Sequence, residues 1–306
     1  MILVTGGLGM IGAHTARALL DLGQEVVVTS HRQSEVPSFL AGKVTVESLD
    51  VTDRDAFLAL GGRHDISDIV HLAGSIPGED PVDFFRTDTA GLFNALGAAR
   101  SWGVRRFAAA SSIGVYIGRT EIPWHEELAL PAADLPHLIV AFKKAVEPLT
   151  THALHGSGVQ PVLLRIGSIW GPLMDPESPF NPIPPYISAV LRGETPPPLY
   201  ADDGGDSCYA PDAGRAIALL TTAETLRHDT YNVSNGRPST HRELVAALEA
   251  ITPGLQLDLL PGRQHGPGDN LYLDITRLTG DTGFAPAFDV AAAVADYVAW
   301  RADNPR

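Results

Sequence analysis

The chain has 306 residues, 44% of them apolar and 19% charged, with a formal net charge of −14. That balance describes a globular protein with room for one large domain or two intimate ones. A surplus of carboxylates repels a phosphate backbone and excludes a general nucleic-acid binder. Cys208 stands alone, which rules out an intramolecular disulfide or a cysteine metal cluster and suits a reducing cytoplasm.

MILVTG reads as a strand that starts the chain directly, with no stretch for a signal peptide. IGAHTARALLDLG follows as a helix. EVVVTS, KVTVESLDV, DIVHLAG and RRFAAASS read as further strands, with the helix AGLFNALGAARSWG between the last two. PHLIVAFKKAVE (136–147) is a helix on which Lys143 shares a face with Ile139 and Val146, while Lys144 neighbours Val140 and Glu147. Pro148 is expected to kink or end it, since it removes a backbone hydrogen bond and crowds the Lys144 carbonyl. QPVLLRI is the next strand. Near-continuous apolar strands separated by helices predict a parallel sheet covered on both faces.

After WGP (170–172) the texture changes to a Pro- and Gly-rich, loop-heavy insertion with one short helix near Tyr186–Leu191. From Ala210 the helical PDAGRAIALLTTAETL and the strand-like TYNVS resume order, and RELVAALEAI and FDVAAAVADYVAWRADN read as amphipathic helices. The expected fold class is α/β, a doubly wound parallel sheet with a smaller C-terminal cap. The sheet domain would cover 1–168, with 206–234 returning to it, and the cap 169–306. No apolar run reaches the roughly 20 residues of a membrane span. Asn232-Val-Ser matches a glycosylation sequon by pattern only.

TGGLGMIG (5–12) sits where a strand meets a helix. Gly6 permits the tight turn, Gly9 lets a pyrophosphate approach the backbone, and Gly12 lets helix and strand pack closely, so a nucleotide is expected here. The second strand should end beside the adenosine ribose. Ser30, His31 and Arg32 stand there with no acid to repel a 2′-phosphate, and Arg32 has the chemistry to pair with one. NADP is favoured on that reading, with NAD possible. Asp50 and Val51, after the third strand, are expected adenine contacts.

Taken together, TGGLGMIG, LDVTD (49–53), HLAG (71–74), SSIGVY (111–116), LRIGSIWGP (164–172), YAPDAGRAI (209–217) and YNVSNGRP (231–238) resemble the extended short-chain dehydrogenase/reductases, the NAD-dependent epimerase/dehydratase group. The resemblance spans essentially the whole chain. It implies a Rossmann domain, a C-terminal substrate domain, and a homodimer built on two helices per subunit. It also implies a cofactor site with Met10, Ile11, Leu72, Ala73, Gly74 and Lys143 beside the residues above. The family's chemistry rests on a Ser or Thr, a Tyr and a Lys, with an Asn in support. Ser112 matches the serine, and Lys143 matches the lysine because Glu147 follows four residues on.

The tyrosine belongs at 139, where this chain has isoleucine, and aligning on Lys144 puts Val140 there instead. The supporting asparagine is Asp88, in TDTAGLFN (87–94). Isoleucine transfers no proton, and losing a positioned acid/base typically costs roughly 10²–10⁴-fold in rate. Tyr116 and His137 are the candidate replacements, with His125 and Asp88 behind them.

Family members acting on nucleotide sugars hold the diphosphate with arginines. Here those positions read Gly205 and, before Pro267-Gly268-Asp269, His265 and Gly266, with Arg263 further back; the substrate-side asparagine is Ser168. A smaller, less charged hydroxy or keto compound is therefore expected, with Trp170, Phe180 and Tyr186 as apolar walls. His152 and His155 have no third ligand nearby, so no metal is expected. The leading expectation is an NAD(P)-dependent oxidoreductase or epimerase. The alternatives are a non-redox isomerase, dehydratase or cyclase, or an inactive nucleotide-binding protein on the same scaffold.

Overall fold

Strands of Ile, Leu, Val and Ala that are apolar on both faces are stable only between two helical layers, and the chain folds to provide both. The computed structural model describes residues 1–32, 35–133, 135–264 and 270–304. Its first part contains β1 (Ile2–Thr5), α1 (Met10–Asp21), β2 (Val26–Ser30), β3 (Thr45–Ser48), α2 (Arg54–Ala59), β4 (Asp68–His71), α3 (Pro81–Trp102), β5 (Arg106–Ser112), α4 (Leu138–Leu154) and β6 (Gln160–Ile166). Beyond β6 come β7 (Ile169–Trp170), α5 (Ile183–Leu191), β8 (Leu199–Tyr200), β9 (Gly204–Asp206), β10 (Cys208–Tyr209) and α6 (Ala210–Thr222). The chain continues with β11 (Thr230–Val233), β12 (Pro238–Thr240), α7 (His241–Ile251), β13 (Leu259–Leu260), α8 (Thr276–Thr282) and α9 (Val290–Asp303).

Seven strands form one all-parallel sheet in the order β11-β6-β5-β4-β1-β2-β3. Strand alternation divides its side chains. Ile2, Val4, Val28 and Val162 pack with α1 and α6 on one face. Leu3, Val27, Ile69 and Phe107 pack with α2, α3 and α4 on the other. The order reverses between β1 and β4, the crevice where doubly wound sheets bind ligands. A third apolar cluster joins Trp170, Tyr186, Tyr209, Leu244, Leu248, Val294 and Tyr297 from α5, α7, α9 and the short strands.

A buried arginine ties these layers together. Arg106, 2% exposed on β5, donates to the carbonyls of Leu220, Thr221 and Ala223 and to Gln160 Oε1. Its charge thereby sits at the carbonyl end of α6, where a cation is favoured.

Two local expectations need correction, and the sequon match finds its explanation. Pro148 does not end α4. It lies on the exposed side while Val146, Thr150 and Leu154 stay buried, and that packing carries the helix on to Leu154. The helix expected from Ala90 begins at Pro81, with Asp80 accepting from the Val82 amide as its cap. The sequon Asn232 is fully buried, its side chain donating to the carbonyls of Trp124 and Asp274. No helix among the described residues is long and apolar enough to cross a membrane.

Candidate active site

Three glycines of the β1–α1 turn are demanded by the protein itself. Gly6 has φ +66°, and a Cβ on it would stand 3.0 Å from the Ala73 backbone. A Cβ on Gly7 would stand 2.5 Å from that of Val28, and one on Gly12 only 2.3 Å from the Gly6 carbonyl oxygen. Gly9 differs. It is exposed, its φ is −72°, and a Cβ there would meet nothing closer than the Gly6 oxygen at 3.3 Å. Gly9 also precedes α1 with no side-chain cap on the first-turn amides. A bare backbone facing outward beside uncapped helix amides fits a pyrophosphate. Met10 and Ile11 are half-buried in that first turn.

At the end of β2, Ser30 is half-buried and His31 and Arg32 are exposed. His31 Nε2 lies 3.7 Å from Asp50 Oδ2, so a carboxylate does reach this corner, from the end of β3. Asp50 is held below its usual range by hydrogen bonds from the Thr52 amide and hydroxyl, with His31 and Arg32 adding to the effect. Val51 is fixed by Asn94, whose amide donates to the carbonyls of Val51 and Thr52.

Leu72, Ala73 and Gly74 follow β4 across the crevice. The amides of Leu72 and Ala73 both donate to Thr5 Oγ1 at 3.2 Å. The Thr5 hydroxyl, 2.8 Å from His71 Nδ1, then has its own proton to give to the ring, which makes His71 the neutral Nε2-protonated tautomer. Burial, helped by the charge of Lys143, presses the His71 pKa down to about 3. Asp88 faces the same loop: Oδ1 accepts from the Ser75 amide and hydroxyl, and Oδ2 stands 3.5 Å from where a Gly74 Cβ would be.

Lys143 reaches from α4 to β5, where Nζ donates to the Ala110 carbonyl at 2.7 Å. Burial lowers its pKa to about 8, against an opposing pull from Asp88. Ser112 ends β5 and its Oγ accepts from the Gly114 amide at 3.0 Å. Gly114 is required there, because a Cβ would come within 2.9 Å of Val140 on α4. Lys144 turns away to the Pro131 carbonyl.

The expected replacements for the tyrosine separate clearly. Tyr116 is fully buried, stacked on Trp124; its hydroxyl donates to Asn232 Oδ1 and accepts from Arg165 Nη1, each at 2.8 Å. Arg165 also makes a two-pronged pair with Glu147, which accepts from Ser111 as well. Burial pushes the Tyr116 pKa up to about 12. The tyrosine is thus built into a structural network and offers no face to a ligand. His137 is exposed at the start of α4 and caps no amide with its ring. Ile139 is half-buried with the α4 side of the core. His125 lies in the loop beside Trp124.

A cavity of about 410 Å³ opens beyond the carboxyl ends of β6 and β11. Trp170, Tyr209 and Phe288 form its aromatic wall, and Asp203, Asp206 and Asp289 are its acidic groups. Ser168 and Gly205, both anticipated on the substrate side, line it. Asn181 also lines it, donating to Ser168 Oγ at 3.1 Å; no local pattern pointed to Asn181. Asp206 is sequestered, its oxygens accepting from the Ser168 amide, the Ser234 hydroxyl and the Leu273 amide, and burial raises its pKa. Of the three residues expected as apolar walls, Trp170 lines this cavity and Phe180 and Tyr186 do not. Phe180 is 66% exposed, and Tyr186 lines an adjoining apolar cavity of about 270 Å³ that shares Pro182, Ile183, His241 and Leu244 with the first. Arg263 donates to Asn270 Oδ1, whereas His265, Gly266 and Pro267-Gly268-Asp269 lie outside the described residues.

With this geometry in hand, known proteins supply a comparison. The model of the NAD dependent epimerase/dehydratase family matches residues 2–234. A UDP-glucose 4-epimerase of Erwinia amylovora is 25% identical over 336 aligned positions, covering 100% of this chain and 98% of that protein. A dTDP-glucose 4,6-dehydratase of Streptomyces griseus is 29% identical, covering 98% and 93%. Among solved structures, a UDP-glucose-4-epimerase from Stenotrophomonas maltophila with bound NAD and formylated UDP-arabinopyranose superposes with a TM-score of 0.82 at 22% identity, covering 100% of this chain and 98% of that one.

Proposed function

Because the chain belongs to the NAD dependent epimerase/dehydratase family, whose model matches more than two thirds of it, we propose that it is an NAD-dependent enzyme acting on a hydroxyl or carbonyl of a small molecule that carries no diphosphate. One observation carries the substrate half of this reading. The charged side chains on the 410 Å³ cavity are Asp203, Asp206 and Asp289, and no lysine or arginine lines it among the described residues. A diphosphate brought there would meet like charge without a counter-ion, which costs binding energy instead of adding to it. UDP-sugar binding is named for structures of similar fold, and the lack of a lysine or arginine in this lining among the described residues argues against carrying it over.

The cofactor half rests on Gly9 and its uncapped helix. We favour NAD over the NADP expected from Ser30, His31 and Arg32, since Asp50 places a carboxylate beside His31 at the ribose end. Neighbouring solved structures are named as NAD complexes, in line with this. When bound, the nicotinamide would accept and return hydride. Ser112 would hold the reacting oxygen by a hydrogen bond, Lys143 would stand over the cofactor ribose, and residues 1–168 with 206–234 would form the nucleotide domain beneath a cap from 169.

Calorimetric titration with NAD⁺, NADP⁺ and UDP tests the reading. Saturable binding of NAD⁺, weaker binding of NADP⁺ and none of UDP up to about 1 mM is expected, which places any UDP affinity weaker than about −4 kcal/mol. Micromolar UDP binding would restore a nucleotide-sugar substrate, and failure of both dinucleotides would leave a scaffold put to other use.

A further inference from the structure

We infer that Lys143 is itself the proton-transfer group at the reacting oxygen, in the place of the tyrosine that Ile139 displaces. The inference rests on the nicotinamide reading above and deepens it.

Ile139 sits one turn before Lys143 on α4, half-buried with the apolar cluster of Phe142 and Val146, so that turn offers no hydroxyl to relay a proton. Lys143 Nζ is anchored by a single described bond, to the Ala110 carbonyl. An ammonium has three protons, which leaves Nζ with capacity to meet a ligand. Ala110 and Ser112 lie on one half-buried face of β5, while Ser111 between them points the other way to Glu147. Nζ nevertheless meets β5 at the Ala110 carbonyl, two residues before Ser112, and Ser112 Oγ itself lies by the α4 turn that precedes Lys143, since a Cβ on Gly114 would stand 3.4 Å from Ser112 Oγ and 2.9 Å from Val140.

The surrounding charges are arranged to match. Asp88 on α3 draws toward the ammonium, and burial draws toward the amine. His71, beneath on β4, stays neutral and adds no charge. Glu147 on the same helix is consumed by Arg165 and Ser111, Lys144 faces Pro131, and Tyr116 is sealed. The outcome is an amine balanced near neutrality, where a general base works best.

The step balances. In the oxidising direction the substrate hydroxyl gives its proton to neutral Nζ, which becomes an ammonium. The carbinol C–H bond breaks with its electron pair leaving as hydride to the oxidised nicotinamide. The substrate becomes a carbonyl and the nicotinamide is reduced. On return, the ammonium delivers the proton to the oxygen as hydride comes back to carbon. No other oxidant or acid is needed.

Lys43, Lys143 and Lys144 are the chain's lysines, so protein labelled with ¹³C at lysine Cε gives a spectrum simple enough to titrate residue by residue. Lys43→Arg and Lys144→Arg assign the Lys143 signal without disturbing it. In the NAD⁺ complex Lys143 should titrate at or below about 8, and about a unit higher in the NADH complex, where the ring's positive charge is gone. Asp88→Asn should lower it in both. A lysine that only grips the ribose must remain an ammonium. Titration above about 10 in the NAD⁺ complex, or no difference between the two complexes, would therefore overturn the inference while leaving NAD⁺ binding intact. Failure of NAD⁺ to bind would overturn the underlying reading as well.

Discussion

Position 139 shows how one side chain redistributes a site's chemistry. An isoleucine where a phenol is expected removes a hydroxyl, and one turn on, burial brings the Lys143 amine toward neutrality. Tyr116, the nearest tyrosine in sequence to Ser112, looked like a substitute. Its environment decides otherwise, because a phenol raised to about 12 and bonded on both sides is a poor proton donor near neutral pH. Tyr116→Phe should therefore lose about 1–3 kcal/mol of stability, the worth of a buried hydrogen bond to a charged partner, and leave NAD⁺ affinity unchanged. Urea denaturation and calorimetry on the same samples separate the two effects. A tenfold or larger loss of NAD⁺ affinity at undiminished stability would return Tyr116 to the site.

Among the elements, α1 and α6 are the pair on which the cradle depends. They touch at Gly214, where a Cβ would stand 2.4 Å from the His14 carbonyl carbon and 2.7 Å from the Thr15 nitrogen. Both are backbone atoms and yield only if a helix moves. Gly214→Ala should therefore cost about 1–3 kcal/mol or more, although alanine is the better helix former. Gly97, exposed on α3 with nothing within 4 Å of its would-be Cβ, makes the control: Gly97→Ala should gain about 0.4–1 kcal/mol. Denaturation midpoints of opposite sign for the same chemical change would show that helix approach, not propensity, sets the first value. Equal and positive shifts would mean that α1 and α6 tolerate separation.

For the molecule as a whole, acid stability should depend on two histidines that the fold holds neutral. Burial takes His14 down to about 4 and His71 to about 3, from ordinary values near 6.5. Between those values the unfolded chain binds protons that the folded chain refuses, so stability is complete above pH 6.5 and is lost as pH falls toward 4 and then 3. At full effect the shifts correspond to roughly 3 kcal/mol for His14 and roughly 5 kcal/mol for His71. Melting curves from pH 7 to 4 should show this decline, and His14→Gln should flatten part of it. A stability flat across that range would mean that the rings open to water before they titrate.

Much of this architecture was legible along the chain. The sheet strands alternate or run apolar within a few residues of one another, and the glycines of TGGLGMIG report a backbone constraint that is itself local. Those signals determined the fold class, the family, and the pairing of Ser112 with Lys143 as the residues to examine. Other features depend on contacts between distant segments. The cavity gathers Ser168, Asn181, Asp203, Asp206, Ser239 and Asp289, which no periodicity links. Pro148 passes inside a helix because buried neighbours hold both its sides, and Asp50 reaches His31 from a different strand. Tyr116 and Lys143 are both polar residues close to Ser112, and local pattern cannot rank them. Packing ranks them: one is sealed among Arg165, Asn232 and Trp124, while the other stays half-buried at the end of the sheet. Desolvation and charge, which set what each group can do, are properties of the assembled surroundings and exist only once the chain has folded.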